Sequence, residues 1–275
     1  MKRLTTGIIL TVLTLILAAC GSDDASDADA SEDKTINFGA TSGPYSDMVT
    51  EAIAPLLEEK GYEVTNQEFT DYVQPNKALA NGDLDANLFQ HKVYLDSFAE
   101  ENDLDLSEVI IVPTAPMGIY SNTFDSIEAI EEGSSIAVPN DPTNLARTLI
   151  ILEDAGLITL KDDIDPLRAS IQDIGDNKKS LEFVEVEAGQ LPRLVDSEDL
   201  SAVPGNYALA ADMDLLDSLA LEDMPDDYRN RVVVNTEDLD ADFTKAIEEV
   251  VQSDEFEQII DEEFEGFSKP EWMKK

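Results

Sequence analysis

The sequence predicts an α/β fold built as two lobes, and three observations carry that prediction. From Lys34 onward short apolar strands alternate with helical patterns, the order that layered α/β folds require. The chain of 275 residues is longer than the roughly 150 typical of one domain. A long extended stretch, Val109 to Tyr120, is interrupted by Pro113 and Pro116, which suits a passage between lobes better than a central strand.

In chain order the first element is a leader. Lys2 and Arg3 precede an apolar run from Leu4 to Ala19, too short for a comfortable membrane span of about 20 residues but shaped like an export signal. It closes on Leu17-Ala18-Ala19-Cys20-Gly21, which resembles the bacterial lipobox, and Cys20 is the single cysteine of the chain. A lone cysteine here makes no disulfide, so lipidation of Cys20 after removal of residues 1–19 is the expectation. Residues 20–33 follow as a flexible acidic tether of Gly, Ser, Ala, Asp and Glu after the lipidated cysteine, with nothing to build a core from.

The folded body then begins. Ile36, Phe38 and Ala40 alternate as a strand, and Gly43-Pro44 suits a helix start. Met48, Ala52, Ile53, Leu56 and Leu57 share one helical face, with Gly61 as the stop. Tyr62 to Phe69 is a second strand, Pro75 opens a short helix ended by Asn81-Gly82, and Leu84 to Phe89 is a buried strand. After the proline-broken passage, a second α/β unit starts with Ser135 to Val138. The loop Pro139-Asn140-Asp141-Pro142 leads to a helix carrying Leu145, Leu149, Ile150 and Leu152, with Thr143 or Asn144 as its expected cap. Strands are expected at Leu181 to Val186 and Leu200 to Val203. Val232 to Val234 reads as the return strand, and a helix around Phe243, Ile247, Val250 and Val251 completes the body. The lobes are therefore assigned as 34–118 plus 231–275, and 119–230.

Composition excludes several functions. With 60 acidic against 18 basic side chains, a formal net charge of -42 would repel nucleic acid, so no nucleic-acid partner is expected. Hydrophobic residues at 43% give enough apolar surface to fold, which excludes a disordered acidic tail. His91 is the single histidine, and no nucleophile elbow, zinc-protease helix or phosphate-binding loop is present. Neither an enzyme nor a metal site nor a cofactor is expected. Because so many acids are present, a close carboxylate pair carries no information.

The segments with most character are Phe69-Thr70-Asp71-Tyr72-Val73-Gln74-Pro75-Asn76, Asn87-Leu88-Phe89-Gln90-His91-Lys92-Val93-Tyr94-Leu95 and Val138-Pro139-Asn140-Asp141-Pro142-Thr143-Asn144-Leu145-Ala146-Arg147. With Pro116-Met117-Gly118-Ile119-Tyr120, Gln190-Leu191-Pro192-Arg193 and Asn206-Tyr207-Ala208, they resemble the methionine-binding lipoprotein family (MetQ/NlpA) from about Asn37 to Gln252. The resemblance implies a two-lobed periplasmic-binding-protein type II fold with a hinge cleft. It further implies an extracytoplasmic, membrane-anchored substrate-binding protein that delivers L-methionine to an ABC permease driven by its ATPase subunit. A methionine-containing dipeptide or another apolar amino acid is the alternative ligand; a surface lipoprotein for adhesion or sensing is the alternative of another class.

Residue by residue, the resemblance places Tyr72, Phe89, His91 and Tyr94 around the ligand side chain, where aromatic faces suit a thioether. Phe89 and His91, two apart, would face the same side of an extended segment. Arg147 offers a planar fork for a carboxylate near a helix start, assisted by Asn144. Asn230 matches a family asparagine at the ligand's polar end. One position departs: where the family commonly has asparagine, three residues before Tyr207, this chain has Pro204, which has no side-chain donor, and Asn206 is the candidate replacement. None of these residues accounts for the charge of the chain, which is expected to be a solvated surface adapted to saline or alkaline surroundings.

Overall fold

A computed structural model describes residues 34–274 of the chain. The segments expected to be a signal peptide, a lipidated Cys20 and a tether lie outside the described residues, as does Lys275.

The amino-terminal third of the described chain runs β1 (Thr35–Thr41), α1 (Pro44–Asp47), a π-helical turn (Met48–Ile53), α2 (Ala54–Glu59), β2 (Glu63–Phe69), α3 (Gln74–Ala80), β3 (Ala86–His91), α4 (Lys92–Asn102) and β4 (Leu106–Ile111). Then come β5 (Gly118–Tyr120), β6 (Ser135–Pro139), α5 (Pro142–Asp154), β7 (Ile158–Leu160), β8 (Ile174–Asn177), β9 (Glu182–Val186), α6 (Leu191–Leu194), β10 (Leu200–Val203), α7 (Gly205–Ala210) and β11 (Ala220–Leu221). The chain closes with β12 (Asn230–Asn235), α8 (Asp242–Val251) and α9 (Asp254–Glu263).

Two five-stranded sheets organise these elements into two lobes. The first has the order β2-β1-β3-β12-β4 and the second β11-β5-β10-β6-β9. Strands β1, β2 and β3 are parallel, as helical crossovers demand, while β12 enters antiparallel between β3 and β4. Each sheet has its own core. Phe38, Met48, Ile53, Leu57, Leu88, Val232, Val234, Ile247 and Phe256 fill the first, where α8 and α9 cover the sheet. Met117, Ile136, Val138, Leu149, Leu152 and Leu200 fill the second.

The expected extended stretch Val109 to Tyr120 is divided. Strand β4 starts earlier, at Leu106, and ends before Pro113; β5 resumes only at Gly118. Between them Val112 donates its N–H to the Asn230 carbonyl, Asn230 donates its own to the Thr114 hydroxyl, and Thr114 bridges Ser268. The prolines occupy this crossing, where no sheet ladder needs their missing N–H. Helix α7 starts against it so closely that a Cβ on Gly205 would lie 2.4 Å from the Pro116 carbonyl oxygen.

Two helices depart from the sequence expectation. Asp141, rather than Thr143 or Asn144, caps α5: its carboxylate accepts the Asn144 N–H, and Pro142 takes the first helical position, where a missing N–H costs nothing. Arg147 therefore sits in the second turn, away from the free N–H groups of the helix start. Helix α4 begins immediately after β3 because His91 caps it, its Nδ1 accepting the Tyr94 N–H at 3.1 Å.

Candidate functional site

Strand β3 ends in the first lobe opposite the start of α5 in the second, and the side chains between them enclose a cavity. Tyr72, Phe89, His91, Tyr94, Asn144, Arg147, Asn206 and Asn230 all line it, so the structure brings the eight residues singled out in the sequence to one place. Tyr45, Gln90, Ala115 and Gly205 complete the wall. The cavity is narrow, with about 320 Å³ of free space including its opening. Among the described residues no group of three or more His, Cys, Asp or Glu is placed to hold a metal ion.

One side of the cavity is aromatic. The Tyr72 and Phe89 rings stack at 5.9 Å, and Tyr94 meets both edge-on at 6.0 Å. The loop that carries Tyr72 is fixed by Asp71, whose carboxylate accepts the N–H groups of Val73 and Gln74 at the start of α3. Tyr94 donates its hydroxyl to the Tyr72 carbonyl at 2.9 Å. Behind β3, Gln90 turns its amide into a fully buried network with Asn76 and Asn87, which fixes the strand that presents Phe89 and His91.

The opposite side is polar, and each amide there has a determined orientation. His91 Nδ1 accepts a backbone N–H, so Nε2 carries the proton and donates to Asn144 Oδ1 at 3.2 Å. Burial holds the imidazole well below its ordinary pKa, helped by the Arg147 charge, so His91 is neutral. Asn144 turns its amide nitrogen to the Asp141 carboxylate, leaving only Oδ1 toward His91 and Arg147. Its donors are committed, so Asn144 orients its neighbours rather than donating to a carboxylate. Burial raises the Asp141 carboxyl pKa against the lowering effect of these hydrogen bonds.

Arg147 is held by a residue that sequence reasoning missed. Glu222, after β11, accepts from Nε at 2.7 Å and from Nη2 at 2.5 Å. The two side chains are 5% and 4% exposed, so this is a buried pair. Tyr228 lies under the guanidinium at 5.4 Å and packs edge-on against His91. Burial works against the Arg147 charge, but Glu222 more than compensates, and the guanidinium pKa is raised. The guanidinium expected to be open to a carboxylate is therefore already paired along one edge. Glu222 had no legible signal among 60 acids; Tyr228, two residues before Asn230, could have been found by proximity to a candidate.

Asn206 and Asn230 finish the polar side. Asn230 donates to the Phe89 carbonyl at 2.9 Å, which ties the start of β12 to β3. Tyr72 donates its hydroxyl across the cleft to Asn206 Oδ1 at 2.9 Å. The Asn206 Nδ2 is buried and, among the described residues, has no hydrogen-bond partner. A buried amide donor left unpaired costs about 1–3 kcal/mol, so this one marks a place for an acceptor. Tyr207 also reaches across, donating to the Thr70 carbonyl at 3.2 Å.

Two α/β lobes closed over a buried cavity, aromatic on one side and hydrogen-bonding on the other, define a substrate-binding protein. The description "NlpA lipoprotein" matches residues 36–272, and the chain belongs to that family. It is 36% identical over 262 residues to the D-methionine-binding lipoprotein MetQ of Salmonella typhi, covering 94% of each chain. It is 34% identical to the methionine-binding lipoprotein MetQ of Bacillus subtilis, covering 98% of this chain and 99% of the relative. A nutrient-binding protein from Burkholderia cenocepacia, solved bound to methionine, superposes with a TM-score of 0.80 at 37% identity, covering 84% of this chain and 97% of that one.

Proposed function

We propose that this protein binds L-methionine between its two lobes and passes it to an ABC permease, while lipid on Cys20 holds it at the outer face of the cell membrane. Residues 34–118 with 231–275 form one lobe in this reading and residues 119–230 the other, a division supported by the membership of the two sheets. Among the described residues no helix is long and apolar enough to cross a membrane.

The observation that carries the reading is the combination, in one buried cavity, of unspent N–H donors and an aromatic chamber. Glu222 takes one edge of the Arg147 guanidinium, through Nε and Nη2. The Nη1 edge has only a 3.5 Å contact with Asn144 Oδ1. That edge and Asn206 Nδ2 receive the ligand carboxylate, so Asn206 takes over the contact that Pro204 cannot make. Asn144 Oδ1 and Asn230 face the ammonium. Tyr72, Phe89 and Tyr94 enclose the thioether, where sulfur-aromatic contacts contribute about 0.3–1.5 kcal/mol each. The narrowness of the cavity favours one amino acid over a dipeptide. The names of the Salmonella and Bacillus relatives and the methionine in the Burkholderia structure support the same ligand.

Isothermal titration with L-methionine tests the assignment. Phe89→Ala removes a ring that is 3% exposed and meets both Tyr72 and Tyr94. It should weaken binding by roughly 10- to 100-fold, from lost apolar contact and lost sulfur-aromatic contact. If Phe89→Ala and Asn206→Ala both bind methionine like the parent, these residues do not form the site.

A further inference from the structure

Glu222 does not line the cavity, yet it holds Arg147, the one cationic side chain among the described residues that does. Its backbone is fixed by donating an N–H to the Met117 carbonyl at 3.0 Å, and its carboxylate also accepts the Met117 N–H at 3.1 Å. Three donors therefore anchor a carboxylate directly behind Arg147. Of the charged and titratable groups around the guanidinium, His91 is neutral, and Tyr45 and Tyr228 are buried phenols that burial keeps protonated. Asp141 lies beyond Asn144, spending its oxygens on Asn144 and Thr143.

We propose that Glu222 sets the charge class of the ligand: by clamping the Nε and Nη2 edge of Arg147 it cancels the guanidinium charge, so the cavity takes a zwitterion rather than an anion. The inference rests on the methionine reading and adds a specificity-determining residue behind the contact residues. The chemistry follows from the guanidinium itself, which has two edges able to grip a carboxylate. One is occupied from within the protein. A ligand carboxylate on the other edge meets a pair of no net charge, with the Glu222 carboxylate across the same guanidinium. An anion gains little there. A zwitterion brings its own ammonium, which offsets that repulsion and finds Asn144 Oδ1 as an acceptor.

The test compares three ligands by titration calorimetry at pH 6.5: L-methionine, γ-(methylsulfanyl)butyrate, which lacks the ammonium, and L-methioninamide, which lacks the carboxylate charge and remains mostly protonated at this pH. In the parent protein, the anionic and cationic analogues should both bind more weakly than methionine and within about tenfold of each other, as a neutral site requires. Glu222→Gln keeps the shape and removes the charge. It should shift the ratio of anion to cation affinity at least about tenfold toward the anion, a change that loose packing alone would not produce. An unchanged ratio, or a shift toward the cation, overturns the proposal. If Glu222→Gln does not fold, the parent decides: an anion preference of about 100-fold or more means a positively charged site and overturns it equally. A parent that binds none of the three ligands instead sinks the methionine reading on which this rests.

Discussion

Replacing Arg147 with alanine is expected to lower methionine affinity by at least about 100-fold and to destabilise the fold by about 3–5 kcal/mol. The first effect follows from the role proposed for Arg147, a desolvated charge on the ligand carboxylate, whose truncation costs about 2–5 kcal/mol. The second follows from Glu222, whose side chain is 4% exposed and would remain buried without its cation. At about 2–4 °C per kcal/mol, the melting temperature should fall by roughly 6–20 °C. The double variant Arg147→Ala, Glu222→Ala leaves neither charge unpaired and should recover much of the stability while recovering none of the binding. Thermal unfolding and titration of the parent, both single variants and the double variant separate the two effects. A single Arg147→Ala variant as stable as the parent would contradict the buried pair.

The melting temperature is also expected to rise by on the order of 10 °C or more between about 10 mM and 1 M potassium chloride, equivalent to about 2.5–5 kcal/mol. With 60 acidic and 18 basic side chains, most carboxylates cannot have a cation of their own. Their mutual repulsion acts over about 30 Å in the dilute buffer and about 3 Å in the concentrated one. Chloride is chosen over sulfate so that screening, rather than exclusion of the salt from the surface, dominates the response. The buried Arg147 pair is shielded from the salt and should hold through the whole range. A flat response would remove the reading of this surface as an adaptation to saline surroundings, while leaving the ligand site untouched.

Much of the fold was legible because its signals are local. Alternation at Ile36, Phe38 and Ala40 gave β1, and Pro142 after Asp141 marked the start of α5, although the cap fell on Asp141 itself. Helix α4 escaped because its cap is a histidine: His91 uses a ring nitrogen where Ser, Thr, Asp or Asn would have announced the start. Strand β11 has two residues, too few for any periodicity, and the acid that follows it is one of 60. The candidate site was legible in its aromatic and amide members only through the resemblance to the methionine-binding lipoprotein family: by residue type alone Phe89 reads as core, and both Phe89 and His91 line the cavity. Its charge balance was not, because the partner of Arg147 is 75 residues distant in the chain. Family resemblance finds the residues that line such a cavity; only the packed tertiary structure finds the group that stands behind them.

Native mass spectrometry of the freshly purified protein tests the central claim most directly. The expected result is a 1:1 complex carrying an added mass the size of methionine, which is lost in Arg147→Ala and displaced by labelled L-methionine in the parent. Protein that carries no such mass, and takes up none when methionine is added in excess, would contradict it.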